Sequence, residues 1–183
     1  MKLKVLLTAL AVAAILPVAA LADGATSSDK ANGSRSCQAL KTSLGDATFK
    51  STYGTNADKS NAFGKCVVKW TEAEHQNRLA AQTACKAEQA DAGFAAAHGG
   101  KTFAQFYGIG KNGAGAMAKC IASKRVSASA EERQDVVKAA KSCKAERTAM
   151  GASDFKTKYG TGESKVNAFG KCVAKLAQAQ QGS

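Results

Sequence analysis

Asn61-Ala-Phe-Gly-Lys-Cys-Val67 returns letter for letter as Asn167-Ala-Phe-Gly-Lys-Cys-Val173, and Gly115-Ala-Met-Ala-Lys-Cys-Ile121 is a diverged copy between them. Working outward, each copy is preceded by a Phe, a Tyr-Gly pair and an earlier cysteine. These are Cys37, Phe49, Tyr53 and Gly54; Cys85, Phe103, Tyr107 and Gly108; Cys143, Phe155, Tyr159 and Gly160. The spacing from the Tyr to the second Cys is identical in all three, so no insertion separates them. Only the middle unit is longer, by residues around Phe94 to Gly99. Regularity at this period marks one supersecondary unit used three times. The units span about 36–70, 84–124 and 142–176.

The intervening sequence predicts helices. Ala, Lys, Gln and Glu are abundant, the glycines cluster, and the only proline is Pro17. Cys37, Leu40 and Leu44 form an apolar stripe stopped by Gly45. Asp46 to Tyr53 suits a short helix with Phe49 and Tyr53 on one face, and Thr55 to Ser60 reads as a polar loop. Asn61 is placed to cap a long helix with the stripe Phe63, Cys66, Val67 and Trp70, which neither Gly nor Pro interrupts before Cys85. The next long helix is expected from Gly115 to Met150. Ser129 with Glu132 spells a capping box there and marks a candidate break near Val126–Ser129. A last helix runs from about Asn167 to Gln180.

In every unit the first cysteine ends one helix and the second begins the next, and an antiparallel hairpin sets two such positions side by side. Repeat symmetry therefore selects Cys37–Cys66, Cys85–Cys120 and Cys143–Cys172. On one straight helix Cys66 and Cys85 would lie about 28 Å apart, so they cannot bond to each other, and roughly 100° of rotation separates them. One helix thus offers cysteines to two neighbours at about a right angle, as a four-helix bundle requires. The expected fold is all-α: three disulfide-linked helical hairpin repeats forming an up-down four-helix bundle, with short Phe-x-x-x-Tyr-Gly helices capping the turns. Each bridge closes a loop of some thirty residues, worth roughly 3 kcal/mol.

The chain opens on Met1-Lys-Leu-Lys4, an apolar run to Leu16, and Ala20-Leu-Ala22 before Asp23. Basic start, short apolar stretch and small-residue site predict a signal peptide over residues 1–22 and export, to the periplasm or the medium, with no transmembrane segment left after cleavage. Residues 23–35 are small and polar and read as a flexible tail; 36–183 form one domain. Cleavage removes Lys2 and Lys4 and no acid. The net charge of +12 then falls to 24 cationic against 14 acidic side chains, or +10.

Such an excess speaks of anionic partners. Lys65, Lys69, Lys119, Lys124, Arg125, Lys171 and Lys175 are the candidate contacts, and an anionic envelope polymer or membrane surface is the expected partner. Acids are interleaved, so nothing resembles a specific nucleic-acid arm. No catalytic residue, cofactor or metal site is assigned. No C-x-x-C occurs, the cysteine spacings fit no zinc pattern, and neither His75 nor His98 has a counterpart in the other units. His75, beside Glu74, reads as a solvated or partly packed residue of the long helix. Gly108-Ile-Gly-Lys-Asn-Gly-Ala-Gly115 lacks the ending of a phosphate loop and follows a helix, so it reads as a turn. The repeated aromatics read as plugs that seal each hairpin end, and Trp70 as core. In the middle unit Met117 and Ala118 replace Phe and Gly, so its end must pack differently. The reading is an exported, basic, disulfide-stabilised helical binding or structural protein. The rival readings are a membrane-active cationic protein and a small-molecule carrier or enzyme using the diverged middle repeat.

Overall fold

A computed structural model describes residues 24–110 and 112–181. The segment expected to be a signal peptide, residues 1–22, lies outside the described residues. The order is α1 (Ser27–Leu44), α2 (Asp46–Tyr53), α3 (Ala62–Ala90), α4 (Phe94–Ala97), α5 (Phe103–Tyr107), α6 (Ala116–Met150), α7 (Ala152–Tyr159) and α8 (Ala168–Gln181). Among the described residues there is no strand, only an isolated bridge between Ile109 and Ala114. None of the described helices is long and apolar enough to cross a membrane.

The bridges are Cys37–Cys66, Cys85–Cys120 and Cys143–Cys172, with Cα atoms 5.9, 6.0 and 6.0 Å apart and every sulfur buried. They tie α1 to α3, α3 to α6, and α6 to α8, and these are also helices that pack on one another. At one end of the molecule the first and third units share a core of Leu40, Phe49, Trp70, Val136, Phe155 and Val173 with two of the disulfides. At the other, a smaller cluster of Phe94, Phe103 and Ala116 surrounds Cys85–Cys120.

Two expectations about where helices begin and break are corrected. Residues 27–35 are not a flexible tail but the first half of α1. Thr26 caps it in a reciprocal box: Asp29 N–H donates to Thr26 Oγ1 at 3.2 Å, and Thr26 N–H donates to Asp29 Oδ2 at 2.9 Å. Gly33 lets this half lie against α3, where a Cβ would meet the backbone of Trp70 and Thr71. Polar composition hid the helix because its buried face carries Asp29, Gly33 and Ser36 rather than large apolar residues. The second correction is α6, which runs unbroken through Val126–Ser129. Ser129 and Glu132 do not cap anything; instead Asn77 of α3 donates to Ser129 Oγ at 3.4 Å and to Glu132 Oε2 at 3.3 Å. A pair that would start a helix in isolation serves a neighbouring helix here.

Asn61 stands at the start of α3 without capping it through its side chain. Its Oδ1 accepts from Thr55 N–H at 3.0 Å and its Nδ2 donates to Thr55 Oγ1 at 2.8 Å, closing the preceding loop. Asn167 does the same to Thr161, at 3.0 and 2.6 Å. In the middle unit Gly115 replaces the Asn, and the equivalent N–H, of Ile109, is satisfied by the carbonyl of Ala114 at 3.0 Å. The loop donor must be satisfied in each unit, by side chain or by backbone.

Candidate functional site

The hairpin ends hold the repeated aromatics. Phe49 lies 5.0 Å from Tyr53 and 6.3 Å from Phe63, and Phe155 lies 5.0 Å from Tyr159 and 6.4 Å from Phe169, centroid to centroid. Phe49 and Phe155 are buried, so these rings are plugs. In the middle unit, where Met117 stands in place of Phe63 and Phe169, the insertion supplies Phe94. It packs on Phe103 at 5.6 Å, on Phe106 at 5.8 Å and on His98 at 3.9 Å. The His98 Nδ1–H donates to the Phe94 carbonyl at 2.8 Å, since a carbonyl only accepts.

Each conserved-in-place tyrosine has a different partner. Tyr53 Oη accepts from Trp70 Nε1 at 3.1 Å, and burial raises its pKa to about 12 although the Trp70 bond opposes that shift. Three residues past the first Cys, the unit has Leu40, Glu88 or Glu146. Accordingly Tyr107 donates to Glu88 at 3.0 Å and Tyr159 to Glu146 at 2.9 Å. Lys124 meets Glu88 and Lys158 meets Glu146, both at 2.6 Å. The hydrogen bond from the lysine, against partial burial, holds each carboxyl below the ordinary glutamate range.

Between the two apolar clusters α1, α3 and α6 meet across a polar belt. Along α3 the belt falls at Glu74, His75 and Arg78, after Trp70 and before Cys85; along α6 it falls at Arg125, Ser129 and Arg133, after Cys120 and before Val136. Its centre is Asp29, fully buried, whose Oδ2 accepts from Arg78 Nε at 3.2 Å and whose Oδ1 lies 3.6 Å from Arg125 Nη1. Burial pushes the Asp29 carboxyl up, but the hydrogen bonds from Thr26 and the Arg78 guanidinium outweigh it and hold the pKa below the ordinary aspartate value. Arg78 Nη2 lies 3.0 Å from His75 Nδ1. A guanidinium only donates, so that ring nitrogen is the acceptor in this contact. His75 and Glu74 are thus buried, not solvated.

The belt opens as a cleft of about 290 Å³. Arg35 and Ser36 of α1, Glu74 of α3, and Arg125, Ser129 and Arg133 of α6 line it. Ser36 Oγ donates to Glu74 Oε1 at 3.2 Å and accepts from Arg133 Nη1 at 3.0 Å, while Arg125 Nε stands 4.0 Å from Glu74 Oε2. Glu132, which shares the Asn77 amide with Ser129, is raised in pKa by burial, an effect that the Asn77 hydrogen bond opposes.

Of the lysines and arginine expected to face an anionic partner, Lys65, Lys69, Lys119, Lys171 and Lys175 are exposed. Lys124 is engaged by Glu88, and Arg125 turns into the belt toward Asp29 and Glu74. The Asp29 belt escaped the sequence reading because its members come from three separate helices. The Thr26-x-x-Asp29 pair is the one local signal that an ordered helix began before Cys37. Among the described residues no cluster of His, Cys, Asp and Glu is arranged to hold a metal ion. No protein-family model matches this chain, and comparison with curated proteins and with solved structures yields no match either.

Proposed function

We propose that this chain is an exported, disulfide-stapled helical protein that attaches through its basic exterior to an anionic envelope polymer or lipid surface. In this reading α1, α3, α6 and α8 form an up-down four-helix bundle, and the three hairpin repeats give a rigid body. Three buried disulfides fit an oxidising compartment outside the cytosol. The observation that carries the attachment is the exposure of Lys65, Lys119 and Lys171, the same position in each repeat, on a chain with 26 cationic and 14 acidic side chains. A positive exterior of this kind draws polyanions by long-range attraction and counterion release. No catalytic role is part of the proposal.

The test is retention on immobilised teichoic acid and on vesicles containing anionic lipid, followed as salt is raised. Affinity should fall linearly on a log–log plot against salt, and Lys65→Gln/Lys119→Gln/Lys171→Gln should flatten the slope by roughly two to three. Affinity that stays constant with salt, or a slope unchanged in the triple variant, would sink the reading.

A further inference from the structure

The cleft between α1, α3 and α6 carries chemistry that the lysine exterior does not use. Three guanidiniums line it, and Glu74 is the one acid among the lining residues. Glu74 is already engaged, its Oε1 by Ser36 and its Oε2 by Arg125. Arg125 Nη1 also lies 3.6 Å from Asp29 Oδ1, an ion pair beyond hydrogen-bond length. Arg133 spends one donor on Ser36 Oγ at 3.0 Å, and Arg35 spends one on Asn32 Oδ1 at 2.9 Å; among the described residues neither meets a carboxylate. A guanidinium has five N–H donors in a planar fork, so most of theirs remain for an incoming group. Among the lining residues Arg35, Arg125 and Arg133 stand against the single carboxylate of Glu74, which leaves two positive charges in excess around a concave, partly desolvated site. Such a site concentrates anions, and paired forks favour the flat or tetrahedral oxygens of carboxylates and phosphates.

The geometry points to a binding site for a small oxyanion, a phosphate or a compact polycarboxylate, held between Arg35, Arg125 and Arg133 with the Ser36 and Ser129 hydroxyls beside it. The volume, near the lower end of ordinary ligand pockets, limits the guest to a small molecule or one terminal group. The lysines offer diffuse attraction to a polymer, whereas the cleft offers directed donors at a fixed depth. This inference therefore stands apart from surface attachment.

The experiment is a titration of the oxidised, isotope-labelled protein with inorganic phosphate and, separately, with citrate, at constant ionic strength in chloride and followed by amide shifts. The expected result is a saturable one-to-one response centred on Ser36, Ser129 and Arg133 with at least one probe, and the stronger probe tells phosphate from carboxylate preference. Arg35→Gln/Arg133→Gln should weaken it about tenfold or more, while Lys65→Gln/Lys171→Gln changes it less than about twofold. If the double variant does not fold, Arg35→Gln alone, whose side chain is exposed, should still weaken binding about threefold. The inference is overturned if neither probe saturates by about 10 mM, if the arginine variants bind as the parent does, or if the lysine variants abolish the response.

Discussion

The two ends of this molecule solve one packing problem differently. At the shared end of the first and third units, identical heptapeptides supply Phe63 and Phe169 to complete near-identical ring sets around Phe49 and Phe155. At the middle unit's end the heptapeptide has lost its Phe, and an insertion brings Phe94 and His98 in from elsewhere in the chain. The first end belongs to a core that runs on through Trp70 and Val136; the second is a satellite of three buried residues, Phe94, Phe103 and Ala116, around its own disulfide. A repeat can thus keep its staple and its turn while its hydrophobic content is exchanged, provided that the buried rings are replaced.

Full reduction is the broadest way to break the comparison. Loops of 29, 35 and 29 residues make each bridge worth roughly 3–4 kcal/mol, and the sum rivals the whole net stability of an ordinary domain. Thermal melts with and without reductant should show loss of most cooperative unfolding. Cys85→Ser/Cys120→Ser should instead open only residues 94–116 to hydrogen exchange, whereas Cys143→Ser/Cys172→Ser should lower protection throughout the large core. Equal loss of protection in both variants would mean that the ends are one cooperative unit.

The plugs give the next test. Phe155→Ala removes a fully buried ring from the large core and should cost about 3–5 kcal/mol of global stability by denaturant unfolding. Phe94→Ala should leave the global midpoint within about 1 kcal/mol, while exchange around Phe103 and Tyr107 accelerates, because the satellite can open by itself.

These expectations show what was legible beforehand. The staples and the plugs could be read because each is spelled by residues at fixed spacing within one unit: Cys37 and Cys66, Phe155 and Tyr159. The belt could not, because Asp29 finds Arg78 and Arg125 only after three helices have packed, and nothing near Asp29 in sequence announces a buried carboxylate. The same holds for Ser129, whose local capping signal was overridden by Asn77 from another helix. Local propensity predicts an element's start only while no tertiary partner competes for the same side chain.

Acid separates the units by the residue three places after the first Cys. Glu88 and Glu146 have pKa values lowered by their lysines, and Asp29 is lowered in the belt. A carboxyl whose folded pKa lies below its unfolded one contributes stability that is present above the unfolded value, about 4, and is lost as pH falls through the folded one. Melting temperature should therefore drop below about pH 4. Glu88→Gln and Glu146→Gln should each reduce that drop, while the first unit, with Leu40 at this position, contributes nothing to it through its tyrosine. At the alkaline end Tyr53 is raised to about 12, so it favours the folded state below its unfolded pKa near 10, and that contribution is lost as pH rises through about 12. Absorbance titration should find one phenol that ionises only there.

The smallest effect is also the sharpest, because it differs in sign between two copies of one heptapeptide. Gly64 and Gly170 occupy the same place in Asn-Ala-Phe-Gly-Lys-Cys-Val, and both lie inside a helix. A Cβ on Gly64 would meet nothing within 4 Å. Gly64→Ala should therefore stabilise the protein by about 0.5–1 kcal/mol, through helix propensity and the reduced freedom of the unfolded chain. A Cβ on Gly170 would press on the Thr52 carbonyl, because α2 of the first unit seats on α8 of the third. Gly170→Ala should destabilise by about 1–3 kcal/mol less the same propensity gain, since neither backbone can yield without disturbing Phe49 or Phe169 beneath it. Denaturant midpoints of the two variants, on either side of the parent, would show that the close approach belongs to the packing of one repeat on another and not to the repeat itself. Shifts of the same sign would show that the glycine serves the heptapeptide wherever it stands.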